Sequence, residues 1–107
     1  MGRTVYNKLI RDRIPEIIAQ SGKAYGIEVM SLEEYEQALL EKIVEEAMEV
    51  RQADNEHIKT ELADLQEVID GILFLKGISR QSLRIEQRSR RNLRGGFRKR
   101  LRLLWTE

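Results

Sequence analysis

The chain has no cysteine, one histidine and one proline in 107 residues. Without cysteine there is no disulfide framework, no thiolate zinc site and no cysteine nucleophile. A single histidine, His57, excludes a multi-histidine metal site within one chain. No apolar run approaches the ~20 residues that a membrane span needs. No charged-then-apolar leader with a small-residue cleavage site opens the sequence, so we expect a cytoplasmic protein with no membrane partner. The chemistry left to such a chain must come from carboxylates, Lys and Arg, and hydroxyls.

What is present is charge. Charged residues make up 35% and hydrophobic residues 41%, too apolar for disorder and more charged than an average domain. The length suits one domain spanning 1–107, which buries only about 60–65% of the surface its unfolded chain exposes. A core that thin gains from a partner subunit. The net charge of +1 hides a segregation: residues 1–30 balance at +2, residues 31–77 at −9 and residues 78–107 at +8. An acidic middle beside a basic end suits a site holding cations and an anion together, although two solvated faces can also simply neutralise each other.

Local signals divide the chain into helices and arms. Residues 3–13 read as an irregular arm. Pro15 fits the first turn of a short helix, and Gly22 fits the position after its end. Residues 24–30 read as a short extended piece. Ser31 and Glu34 make a capping box ahead of an apolar-periodic run, which predicts a helix over about 32–53. Asp54 and Asn55 break it and can cap a second helix over about 56–76, which Gly77 stops. Ser79 can cap a third, shorter helix to about residue 92, ended by Gly95-Gly96. Phe97, Leu101, Leu103 and Trp105 then alternate as in a short strand or extended arm, and Phe97 and Trp105 are expected to pack.

The acids of the two long helices sit in unexpected places. At about 100° per residue, Leu32, Tyr35, Leu39, Ile43, Ala47 and Val50 form one apolar arc. Glu46 falls inside it and Glu49 on its edge, while Glu45 points away. Ile58, Leu62, Leu65, Val68, Ile69, Ile72 and Leu73 form the second arc, with Glu61 inside and Asp64 on the margin. About a turn centred near Asn55, Glu49 mirrors Glu61 and Glu46 mirrors Asp64. In an antiparallel hairpin, equal distances from the turn mean equal heights, so four carboxylates converge on two levels about 4.5 Å apart. Four desolvated like charges are unfavourable unless some are protonated or a cation sits among them. Oxygen-only donors suit Mg²⁺, with Mn²⁺ an alternative, and two ions are plausible. Against this stands the ordinary helix propensity of Glu, and Glu36 also strays into the first arc.

Glu45-Glu46-x-x-Glu49 followed by Glu61-x-x-Asp64 resembles the signature of the MazG-like all-α nucleoside triphosphate pyrophosphohydrolases. The segment YNKLIRDRIPEII at 6–18 and LRGGF at 93–97 are similar to the small phosphoribosyl-ATP pyrophosphohydrolase-like branch. The resemblance implies cleavage of a nucleoside triphosphate to monophosphate and pyrophosphate, with Mg²⁺ held by Glu46, Glu49, Glu61 and Asp64. It also implies an all-α fold in which an antiparallel hairpin completes a four-helix-bundle-like core as a homodimer or homotetramer. The gap between the half-motifs is short, so the turn must be tight.

Such chemistry needs a base, and Glu46 and Glu45 are both candidates. Lys42 precedes Glu46 by one helical turn and can reach the site or simply pair with it. Arg94, Gly95 and Gly96 suit an anion, since glycine admits close backbone approach and Arg binds phosphate bidentately, but Gly-Gly is also a common helix stop. Lys8 and Arg11 of the arm are further phosphate candidates, or belong to a solvated arm. Two readings from other classes compete: a basic nucleic-acid-binding module, which a C-terminal third balanced at +8 could form, and a non-catalytic helical assembly. Within the enzyme class, phosphoribosyl-ATP cleavage in histidine synthesis is the alternative substrate.

Overall fold

The computed structural model describes residues 2–107. It holds four helices and, among the described residues, no strand: α1 (Ile14–Gln20), α2 (Leu32–Gln52), α3 (Ile58–Lys76) and α4 (Arg80–Arg94). The fold is all-α. Neither residues 24–30 nor the alternating residues 97–105 form a strand. Alternation places side chains on two faces, but a strand needs a neighbouring backbone to bond, and neither segment has one.

The helix ends follow their sequence signals. Ser31 accepts from the Glu34 N–H at 3.2 Å, and the Glu34 carboxylate accepts from the Ser31 N–H at 3.1 Å. Those bonds hold the Glu34 carboxyl below its ordinary range. Asp54 accepts from the His57 N–H at 2.9 Å and lies 2.7 Å from its ring nitrogen, fixing the start of α3. The link between α2 and α3 is the five residues Ala53–His57, as tight as the short gap demands. Gly77 closes α3 in the left-handed conformation at φ 68°. Ser79 caps α4 by accepting from the Ser82 N–H, and Gly95 ends it at φ 81°.

The core is the seam between α2 and α3. Among the described residues, only Leu39, Val68 and Leu73 are buried apolar residues. Gly71 lets the helices approach closely, because a Cβ there would stand 3.1 Å from Leu39 Cδ2. Leu32, Ala47 and Leu62, expected on the apolar arcs, are exposed. The reason is geometric: one helix crossing another covers a narrower strip than a bundle does, so the flanks of each arc face no second layer. Phe97 and Trp105, expected to pack, are 97% and 72% exposed for the same reason.

The chain is extended. Its radius of gyration is 18.6 Å, against about 13 Å for a compact domain of this length. Its accessible surface is 10573 Å², against about 6,200 Å² for a compact monomer of this mass. α4 accounts for much of the difference. It buries no residue, and its ion-pair tie to the hairpin runs from Arg80 to Asp70. That pairing, together with the Gln66 amide that donates to it, holds the Asp70 carboxyl low, the amide having the larger effect.

Candidate metal centre

Three acids from the two long helices converge on one patch of the seam. Glu46 of α2 and Glu61 and Asp64 of α3 each offer an oxygen, and these oxygens lie within 4.8 Å of one another. Glu46 is 9% exposed and buried; Glu61 and Asp64 are half-buried. Their convergence comes from the register of the hairpin: the apolar seam fixes the rotation of each helix, and the tight link fixes their relative height. Glu49, the fourth acid expected here, lies beside the trio and not within it. It is exposed, as its place on the edge of the arc dictates, but it is near enough to help push the Glu61 carboxyl above its usual range.

The electrostatics are those of a crowded anionic site. Burial pushes the Glu46 carboxyl above its usual range. The charges of Glu49, Asp64 and Glu45 push the same way, against Lys42. Glu61 is raised by desolvation first, then by the neighbouring Glu49 carboxylate and the charges of Asp64 and Glu46. Glu46 Oε2 and Glu61 Oε2 are buried with no hydrogen-bond partner. An orphaned buried carboxylate oxygen is costly, and two at one spot are what a bound cation relieves. Oxygen-only donors at this spacing fit a hard divalent ion such as Mg²⁺ or Mn²⁺.

Cations ring the acids. Lys42 Nζ lies 3.9 Å from Glu46 and 4.0 Å from Glu45, so it both reaches the site and pairs there. The N-terminal arm adds two more. Arg11 donates to Asp64 at 2.9 Å, and Lys8 lies 3.6 Å from Glu45. Glu45 is thus held between two lysines outside the trio, which leaves the choice of base between it and Glu46 open. Behind the arm is a recess of about 390 Å³ lined by Leu9, Ile10, Pro15, Ile27, Met30 and Tyr35, with Arg11 at its rim. Sequence periodicity could not place Lys8 and Arg11 here, because the arm has no regular structure. Their positive charge opposite an acidic middle was the signal.

Arg94, Gly95 and Gly96 are not brought to the acids within one chain. α4 departs from the hairpin after Arg80, all three residues are exposed, and Gly95 serves as the helix stop, its N–H donating to the Arg91 carbonyl at 2.7 Å. His57 is exposed at the start of α3, away from the acids in its pairing with Asp54.

The raised carboxyls set the pH dependence of the metal-free fold. A carboxyl whose pKa rises on folding binds its proton more tightly in the folded state, so stability increases as pH falls through the raised value toward the ordinary one. Asp70 and Glu34 are lowered, and their contributions are lost only below the ordinary carboxylate range. We therefore expect the chelator-treated protein to melt higher at about pH 5 than at about pH 8, with the order reversing at lower pH. A melting temperature that falls steadily from the higher to the lower of those values would exclude a strained acid cluster.

No known family model matches the chain, and no solved structure matches it. A protein of Mycolicibacterium smegmatis (strain ATCC 700084 / mc(2)155), described as an uncharacterized protein, is 49% identical over 47 residues. The match takes in 44% of this chain and 48% of that protein, so the aligned part spans about half its length. Among the described residues, no helix is long and apolar enough to cross a membrane.

Proposed function

We propose that the chain is a cytoplasmic, Mg²⁺-dependent nucleotide pyrophosphohydrolase of MazG-like type, cleaving a nucleoside triphosphate between its α and β phosphates. The observation that carries this reading is the Glu46, Glu61 and Asp64 cluster with its two orphaned buried oxygens. The resemblance of the acid spacing, the arm and the Arg-Gly-Gly-Phe segment to that superfamily supports it.

Glu46, Glu61 and Asp64, with Glu49 beside them, would hold a divalent ion, which when bound would neutralise phosphate charge and acidify a water. The chain's own groups do the rest. Glu46 or Glu45 accepts the proton of the attacking water. Lys42, Lys8 and Arg11 hold the remaining phosphate charge, and Arg11 must exchange Asp64 for substrate to do so. The apolar recess beside Arg11 takes a face of the base. A second copy of the chain supplies the layer that the hairpin lacks, as a homodimer or homotetramer.

A nucleotide panel with magnesium, scored for products, tests the reaction. Monophosphate and pyrophosphate in equal amounts are expected. Release of single orthophosphate excludes α–β cleavage. Phosphoribosyl-ATP belongs in the panel, since the acids and cations recognise the same polyphosphate there.

A further inference from the structure

α4 carries six arginines, Arg80, Arg84, Arg88, Arg90, Arg91 and Arg94. At about 100° per residue all six fall within an arc of about 160°. The helix is therefore a basic stripe roughly 22 Å long, and it is continued by Arg98, Lys99, Arg100 and Arg102. Only its first arginine has an acid: among the described residues, Arg80 pairs with Asp70 of α3, and the other five make no ion pair. Apolar side chains are interleaved and bare, with Leu93, Phe97, Leu101 and Trp105 all exposed.

The outer face of α2 is the complement. Glu33 and Glu41 are exposed there without an ion pair, beside the exposed Leu40, Val44 and Met48. A groove of about 740 Å³ runs along this face between α2 and the N-terminal arm, lined by the four acids Glu33, Glu34, Glu41 and Glu45 against the two lysines Lys8 and Lys42. Residues 31–77 balance at −9 and residues 78–107 at +8. Within one chain these surfaces separate after Arg80, so neither satisfies the other.

We propose that α4 and the segment after it are an exchanged arm, which lies along the outer face of α2 in a second copy of this chain, with its arginines on Glu33 and Glu41. Each copy gives an arm and receives one. The surface exposed beyond that of a compact monomer is roughly 4,000 Å² per chain, several times the ~800 Å² per partner that a stable interface needs. Nucleic acid is the competing occupant of an arginine stripe. The acidic face is favoured because Arg80, at the head of the stripe, already bonds an acid of the hairpin, and because the same chain carries matching charge and matching bare apolar residues. The proposal specifies the segment behind the oligomer proposed above, and does not depend on the reaction.

The test reads mass, not turnover. Wild-type chain in sedimentation or light scattering is expected at twice the 12.6 kDa of one chain, or a higher even multiple. R84E, R88E and R91E together should halve that mass while leaving the circular dichroism of the helices unchanged, since α4 buries no residue. Mixing that variant with an E33K and E41K chain should restore association. A wild-type chain that sediments singly and binds duplex DNA overturns the proposal in favour of nucleic acid. An undiminished mass for the arginine variant, or a mixture that stays dissociated, overturns it as well. If the arginine variant loses helix signal, R88Q and R91Q alone carry the test, and they must weaken association at least tenfold.

Discussion

Glu46→Gln is expected to remove magnesium-dependent nucleotide turnover while making the metal-free protein more stable. The two effects have one cause. Glu46 is the most buried of the three clustered acids, with one oxygen lacking any partner and with Glu49, Asp64 and Glu45 raising its proton affinity. A neutral amide of the same shape relieves that repulsion, so chelator-treated protein should melt a few degrees higher at neutral pH, on the order of 1 kcal/mol. The same change withdraws a hard anionic donor from a divalent ion. Activity should fall by about 10²–10³-fold or more, and the rise in melting temperature on adding magnesium should shrink or vanish. Paired calorimetry and product assays check both signs. Retained activity within about tenfold would remove Glu46 from the centre.

Leu39→Ala is expected to be the most damaging change away from the acids. Leu39 is 4% exposed, one of three buried apolar residues among those described, and its Cδ2 fits the notch left by Gly71. Truncation removes its burial and leaves a cavity at the narrowest point of the seam, a loss of about 2–5 kcal/mol. A domain this small holds about 5–10 kcal/mol in all. Urea titration followed by circular dichroism should show a large fall in midpoint, and the register that aligns the acids should go with it. Val29→Ala, at a 96% exposed position, should stay within about 0.5 kcal/mol. Equal effects for the two would mean that the seam is not the core.

The helices were legible because their signals are local. Ser31 with Glu34, Asp54 ahead of α3, Gly77 and Ser79 each satisfy backbone groups within a few residues of themselves, and a one-dimensional string carries such information. The acid cluster was legible for a related reason, since helical periodicity and a short link convert spacing into height and direction. Glu49 marks the limit: mirrored spacing counted it as a fourth converging ligand, and from its place on the edge of the arc the side chain stands beside the trio. The contacts of Lys8 and Arg11 were beyond periodicity, being long-range ion pairs from an irregular arm. Phe97 and Trp105 were misread because alternation describes a chain's own pattern and says nothing of whether a surface exists to receive it.

The arm's grip on the hairpin has a consequence for how the protein behaves in different buffers. Lys8 and Arg11 are exposed side chains, and such contacts weaken once mobile ions compete for them within about 10 Å at ordinary salt. Dilute solutions draw this strap down over Glu45 and Asp64, and concentrated salt slackens it. Raised ionic strength should therefore loosen these two contacts first and leave the helices beneath unchanged, as helix circular dichroism at low and high salt would check.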